Sequence, residues 1–224
     1  MNIQTQKIAN RWLIYDADKL PNPQQSLFDI NALEAKGLVI GYAVGRGQTC
    51  FFKSNNTVWA LRHYYRGGLI AKLVKDRYLG LQLKNTRAWK EWQLLSDMRL
   101  LKLPVPVPIA ASIIQSGIFY RADLITEYLT DTQDLAGFLS KEKLSQTLWQ
   151  SLGEVVAQFH HHGVYHSDLN AKNILIDTEN EFYLIDFDQC GFRKGNAWKQ
   201  STLDRLKRSF DKFKSVDHGF NFSE

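Results

Sequence analysis

Hydrophobic and polar positions along this chain follow two different periods, and the points where the period changes mark its elements. Two β-rich runs, 38–44 and 49–52, flank Gly45-Arg46-Gly47, and a third, 58–64, follows Ser54-Asn55-Asn56. Branched and aromatic residues bounded by glycine and asparagine predict a three-stranded meander. From 86 to 101 the period lengthens: Trp89, Trp92, Leu95 and Met98 recur at three-residue steps among charged neighbours, which predicts a helix. Pro104, Pro106 and Pro108 end it. The apolar runs 109–114 and 118–127 predict two more strands, which lead into the polar step Thr130-Asp131-Thr132, the expected hinge.

Beyond that step, Leu144, Leu148, Leu152, Val155, Val156 and Phe159 form one apolar stripe of a long helix, which Gly163 stops. The runs 174–176 and 182–185 bracket Asp177-Thr178-Glu179-Asn180 as a hairpin, and Leu203, Leu206, Phe210 and Phe213 mark a final helix. Residues 1–37, with Pro21, Pro23 and scattered Gln and Asn, read as an extension packed on something larger. The order is a β-rich first part with one helix, a hinge, and a helical second part carrying one hairpin, which is α+β.

Composition narrows this picture. At 224 residues, 44% hydrophobic and 23% charged, the chain suits one substantial core or two small lobes and excludes wholesale disorder. Cys50 and Cys190 have no C-x-x-C spacing, so no disulfide framework or structural zinc site is expected, and a reducing compartment fits. The first twenty residues lack the apolar block of a signal peptide. The longest uncharged stretch, 103–120, is interrupted by three prolines, and no transmembrane helix is expected. The net charge of +5 is concentrated: residues 62–90 hold eight Lys or Arg against Asp76 alone, which suits an anionic partner such as a nucleotide or an acidic lipid head group. A nucleic-acid binder would use that stretch with Tyr64, Tyr65 and Tyr78, but no RNP, KH or zinc-finger pattern accompanies it.

The chemistry concentrates after the long helix. His166-Ser167-Asp168-Leu169-Asn170-Ala171-Lys172-Asn173 fits the kinase catalytic-loop pattern H-x-D-L-x-x-x-N, and the hairpin's second strand runs into Ile185-Asp186-Phe187-Asp188, where kinases place D-F-G. Phosphoryl transfer needs positioning and neutralisation of phosphate charge more than covalent chemistry. Asp168 is expected to accept the proton of the attacking hydroxyl. Asn173 and Asp186 supply hard oxygens suited to Mg²⁺. His166 reads as a structural holder of the loop. His160, His161 and His162 suggest a metal, but Gly163 breaks the i, i+4 relation to His166, so a polar helix end is expected.

Upstream, Gly45 and Gly47 resemble half of a kinase glycine-rich loop, with Cys50 at the third glycine position. Trp59-Ala60-Leu61-Arg62 aligns with V-A-I-K and places Arg62 where kinases have lysine. Glu91 is its expected carboxylate partner, and Lys72 or Lys75 are the next candidate cations. Asn170 stands where protein kinases carry a phosphate-contacting lysine, and Lys172 is the nearby cation that could replace it. Thirty-eight residues follow Asp186 and contain no A-P-E, so no protein substrate is expected.

The runs 61–68 (Leu-Arg-His-Tyr-Tyr-Arg-Gly-Gly), 76–78 (Asp-Arg-Tyr), 166–173, 184–188 and 203–209 (Leu-Asp-Arg-Leu-Lys-Arg-Ser) together resemble the lipopolysaccharide core kinases, Kdo (3-deoxy-D-manno-octulosonic acid) kinases among them. The resemblance spans most of the chain from Val39 onward. It implies a minimal bilobal protein-kinase-like fold, with 1–128 as N-terminal extension and β-rich N-lobe and 129–224 as a reduced helical C-lobe. It further implies ATP and Mg²⁺ as cofactors, and phosphorylation of the 4-hydroxyl of Kdo on Kdo-lipid A. The enzyme would sit peripherally on the anionic cytoplasmic face of a bacterial inner membrane. A choline- or aminoglycoside-type kinase and a pseudokinase-type binding protein are the rival readings.

Overall fold

Alternation sets the register of one large sheet. The computed structural model describes residues 2–43, 49–54, 56–65, 76–80, 82–217 and 219–222. Strands β1 (Ile3–Ile8), β2 (Arg11–Asp16), β3 (Val39–Tyr42), β4 (Thr49–Ser54), β5 (Thr57–His63), β6 (Tyr78–Leu79), β7 (Pro108–Ser116) and β8 (Phe119–Glu127) pair antiparallel. The order is β1-β2-β7-β8-β5-β4-β3, with β6 on the start of β8. Side chains two residues apart share a face. Cys50 opposite Leu61 and Phe52 opposite Trp59 therefore point into one core, joined by Leu13, Ile109 and Ile125.

The chain forms two compact units, one comprising Met1–Ser96 and Val107–Tyr128, the other Asp97–Pro106 and Leu129–Glu224. In the first, Asp29 caps helix α1 (Ile30–Ala35) by accepting from the amides of Asn31 and Ala32. Helix α2 (Arg87–Leu100) starts in the first unit and ends in the second, burying Trp92, Leu95 and Met98 of its expected stripe. The second unit carries β9 (Thr132–Asp134), α3 (Leu135–Leu139), α4 (Gln146–His161), β10 (Val164–Tyr165), β11 (Ile174–Asp177), β12 (Phe182–Leu184), β13 (Gly191–Phe192) and α5 (Lys199–Val216). Ser145 caps α4 through the amide of Leu148, and Gly163, at φ +72°, turns the chain out of it. The architecture is thus mixed α and β, with five α-helices among the described residues.

The expected meander, long helix, hairpin and final helix are all present. Residues 1–37 depart from expectation. They are not merely an extension: β2 pairs with β7 from Arg11 opposite Ile114 to Tyr15 opposite Ala110, and its Leu13 and Ile14 are buried in full. The strand escapes the pattern because it is short and its partner lies about a hundred residues away, while β1 is exposed along nearly its whole length and shows no apolar face.

Leu13→Ala should destabilise the protein by about 2–5 kcal/mol, as large-to-small changes do at a fully buried site. Urea unfolding followed by circular dichroism measures this, and a change within about 0.5 kcal/mol would mean the N-terminal strands are dispensable.

Candidate active site

In the first unit, β5 alternates so that Trp59 and Leu61 enter the core while Arg62 projects from the other face. There Arg62 Nη1 lies 3.1 Å from Glu91 Oε1 on α2. Tyr64, just past the end of that strand, donates its hydroxyl to Glu91 Oε2 at 2.5 Å. Glu91 is only 4% exposed, so its charge depends on these donors: a carboxylate taken from water is costly unless it is paired and hydrogen-bonded. Arg87, one helical turn before Glu91, lies over the rings of Tyr64 and Tyr78 and donates to Tyr78 Oη at 2.9 Å. Arg62 lies over Tyr64 as well, 5.1 Å from the ring centre. Gly45, Gly47, Lys72 and Lys75 lie outside the described residues.

In the second unit, the loop 166–173 connects β10 to β11 and is organised by one buried imidazole. His166 donates from Nε2 to the carbonyl of Ile185 at 3.0 Å and accepts at Nδ1 from the amide of Asp168 at 3.2 Å, an arrangement that sets the neutral tautomer. Its ring packs on Phe187, which stacks on Phe159 of α4. Burial pushes the imidazole pKa below its ordinary value, and the hydrogen bond to Ile185 opposes that only in part.

Asp168 keeps its carboxylate exposed while its carbonyl oxygen accepts from the side-chain amides of Asn170 and Asn173, at 3.0 and 2.9 Å. Asn170 Oδ1 in turn accepts from the amides of Lys172 and Asn173. Because Asn173 commits its nitrogen to Asp168, the oxygen is the end it presents elsewhere. The amide of Ile185 donates to the carbonyl of Asn173, continuing the β11–β12 ladder by one rung and bringing Asp186 beside the loop. Asp186 itself has φ +63°, a left-handed conformation costing roughly 1 kcal/mol that collects at functional positions.

The chain matches the family described as "Lipopolysaccharide kinase (Kdo/WaaP) family" over residues 31–221. A 3-deoxy-D-manno-octulosonic acid kinase of Vibrio vulnificus is 44% identical over 210 residues, covering 94% of this chain and 89% of the relative. The kinase of the same name from Haemophilus influenzae is 41% identical over 213 residues, covering 91% and 88%. That of Vibrio cholerae is 38% identical over 221, covering 99% and 94%. This chain belongs to the lipopolysaccharide kinase (Kdo/WaaP) family. It is therefore a phosphotransferase, its mixed α and β fold is consistent with a kinase-like fold, and membership of a kinase family implies use of ATP.

The donor set beside the loop fits the divalent ion that accompanies ATP. Among the described residues no three His, Cys, Asp or Glu side chains cluster as a metal group. Mg²⁺ uses one or two carboxylates and completes its shell with phosphate oxygens and water, and an Asp186 carboxylate with an Asn173 amide oxygen is a set of that kind. His160 is occupied otherwise, bonded to Thr202 Oγ1 at 2.9 Å and packed edge-on against Trp198. Lys172 places its ammonium 5.8 Å from the ring centre of Phe213.

Residues to which the sequence alone assigns no role, though two of them lie in the run 203–209, stand next to the predicted ones. Arg205 Nη1 lies 3.5 Å from Asp168 Oδ1, and Ser209 Oγ accepts the amide of Ala171 at 3.1 Å. With Phe213 under Lys172, positions 205, 209 and 213 form one stripe of α5 along the loop. That i, i+4, i+8 spacing is visible in the sequence once α5 is known to face the loop.

Because the folded imidazole of His166 binds its proton more weakly than an unfolded one, the stability it contributes is present in full above the unfolded pKa, about 6.5. It is lost as pH falls through the lower folded value. Urea midpoints measured across this range should fall on acidification in the wild type and fall less steeply in His166→Gln. Parallel curves would show that the buried imidazole does not stay neutral.

Proposed function

We propose that this chain transfers the γ-phosphoryl group of ATP to the 4-hydroxyl of a Kdo sugar on Kdo-lipid A, in lipopolysaccharide inner-core biosynthesis. The relatives named 3-deoxy-D-manno-octulosonic acid kinase support the acceptor. The observation that carries the mechanism is the exposed Asp168 carboxylate on a backbone fixed by His166 and Asn173.

In this reading Asp168 receives a hydrogen bond from the acceptor hydroxyl, aims it in line with the phosphoryl group and takes its proton as the new O–P bond forms and ADP leaves. Asn173 and Asp186 hold Mg²⁺, which when bound with ATP neutralises charge on the phosphates. Arg62, fixed by Glu91 and Tyr64, contacts the α- and β-phosphates with a guanidinium in place of the usual ammonium. Gly45 and Gly47 cover the phosphates, and Lys172 is a second phosphate contact. We read residues 1–128 as a β-rich N-lobe with its extension and residues 129–224 as a reduced helical C-lobe.

The acceptor is lipid-borne, and among the described residues no helix is long and apolar enough to cross a membrane. Peripheral attachment at the cytoplasmic face of the inner membrane belongs to this reading; the basic stretch 62–90 supports it as a surface suited to anionic lipid, and such attachment weakens as salt rises.

Labelled ATP, Mg²⁺ and Kdo-lipid A test the assignment. Asp168→Asn should lower kcat by about 10²–10⁴, with the KM for ATP little changed. Equal transfer by wild type and variant would overturn the mechanism, and no transfer by the wild type would overturn the acceptor. Arg62→Ala should instead raise the KM for ATP at least tenfold, consistent with loss of charge-assisted contacts to phosphate. An unchanged kcat/KM for ATP would remove Arg62 from the site.

A further inference from the structure

Arg205 approaches Asp168 from α5 with a single nitrogen at 3.5 Å, too long for a strong charge-assisted hydrogen bond. Both side chains are open to water, 46% and 61% exposed. An exposed single-contact pair contributes little to stability and exchanges readily for a better partner. Among the described residues Asp168 is the one acid within ion-pair distance of this guanidinium. The rest of the α5 stripe nevertheless fixes the helix beside the loop, through Ser209 on Ala171 and Phe213 under Lys172. A planar fork of N–H donors is thus held next to the exposed carboxylate without being matched to it.

We propose that Arg205 is a specificity-determining residue that binds the carboxylate of the acceptor sugar. The inference rests on the reading of Asp168 as the base and Kdo as the acceptor. A base must lie within hydrogen-bond reach of the hydroxyl it activates. In a 3-deoxy-2-ulosonic acid, only the C3 methylene separates the carboxylate-bearing C2 from the hydroxyl-bearing C4. A 4-hydroxyl seated on Asp168 therefore carries the sugar carboxylate into the neighbourhood of Arg205, where a bidentate pair can replace the loose contact. Two effects follow. Neutral sugars lack the group that Arg205 recognises, and the arrival of an acid sugar removes the cation that competes for the Asp168 oxygens.

The test pairs a protein change with a matching acceptor change. Kdo-lipid A and its Kdo methyl ester are assayed with wild type, Arg205→Gln, Arg205→Lys and, as a control on the same helix, Lys207→Gln. The wild type should lose about 10- to 100-fold in kcat/KM on the ester, expressed in the acceptor KM. Arg205→Gln should lose a similar factor on the acid, lose nothing further on the ester, and leave the KM for ATP unchanged. Arg205→Lys should recover part of the loss, and Lys207→Gln should behave as wild type.

Losses that multiply when Arg205→Gln meets the ester would overturn the assignment, as would full activity of the wild type on the ester, an arm independent of how any variant folds. Transfer to neither acceptor by the wild type would overturn the Kdo reading and this inference with it, whereas multiplying losses leave the Kdo reading standing.

Discussion

The second unit is organised around a neutral imidazole that has no water to fall back on. His166 uses both ring nitrogens on backbone groups, one in its own loop and one in the strand leading to Asp186, so two segments that carry chemistry share a single rigid partner. Protonation would turn the Nδ1 acceptor into a donor facing another donor, the amide of Asp168. Burial opposes that change, and the packing of Phe187 between His166 and Phe159 supplies the burial. The geometry of the loop is thus tied to the hydrophobic core through one ring.

The first unit treats charge in the opposite way. Glu91 is as deeply buried as His166, but it is held by a guanidinium and a phenol. Replacing lysine with arginine at position 62 keeps the cation and adds a planar face, which lies over Tyr64. Tyr64 therefore touches both members of the pair, one through its ring and one through its hydroxyl. A lysine would have no comparable surface to stack.

How much of this was legible in the sequence depended on distance along the chain. Asp168, Asn173 and Asp186 fall within nineteen residues on a loop and a hairpin, and their spacing alone places them near one another. Arg62 and Glu91 are separated by a strand-to-helix step that alignment with a known pattern bridges, and the structure brings them together. Tyr64 and Arg205 stood only within the runs that carry the resemblance, Tyr64 also as a ring for a nucleic-acid binder, and neither had a role at the site, because nothing local distinguishes a tyrosine or arginine that turns toward a partner contributed by another element. Helix α5 was read for its apolar stripe, whereas Arg205 and Ser209, which meet the loop, lie beside that stripe and share only Phe213 with it. The N-terminal strands were missed for the same reason: Leu13 is explained by Ser112 and its neighbours on β7, not by anything within ten residues of it.

The pairing of β2 with β7 also sets an order of events during synthesis. Leu13 and its register partner Ser112 are ninety-nine residues apart, so the first hairpin leaves the ribosome long before the strand it needs. At about 5–20 residues per second that interval is roughly 5–20 s. Throughout it, a strand whose Leu13 and Ile14 end fully buried presents an unpaired edge. The polar outer strand β1, with Gln4, Gln6 and Lys7, covers the other edge of β2 and is close to it in sequence. In the finished sheet β1 thus takes one edge of β2 and leaves the other to β7 alone, so a chain short of β7 has one open edge there instead of two.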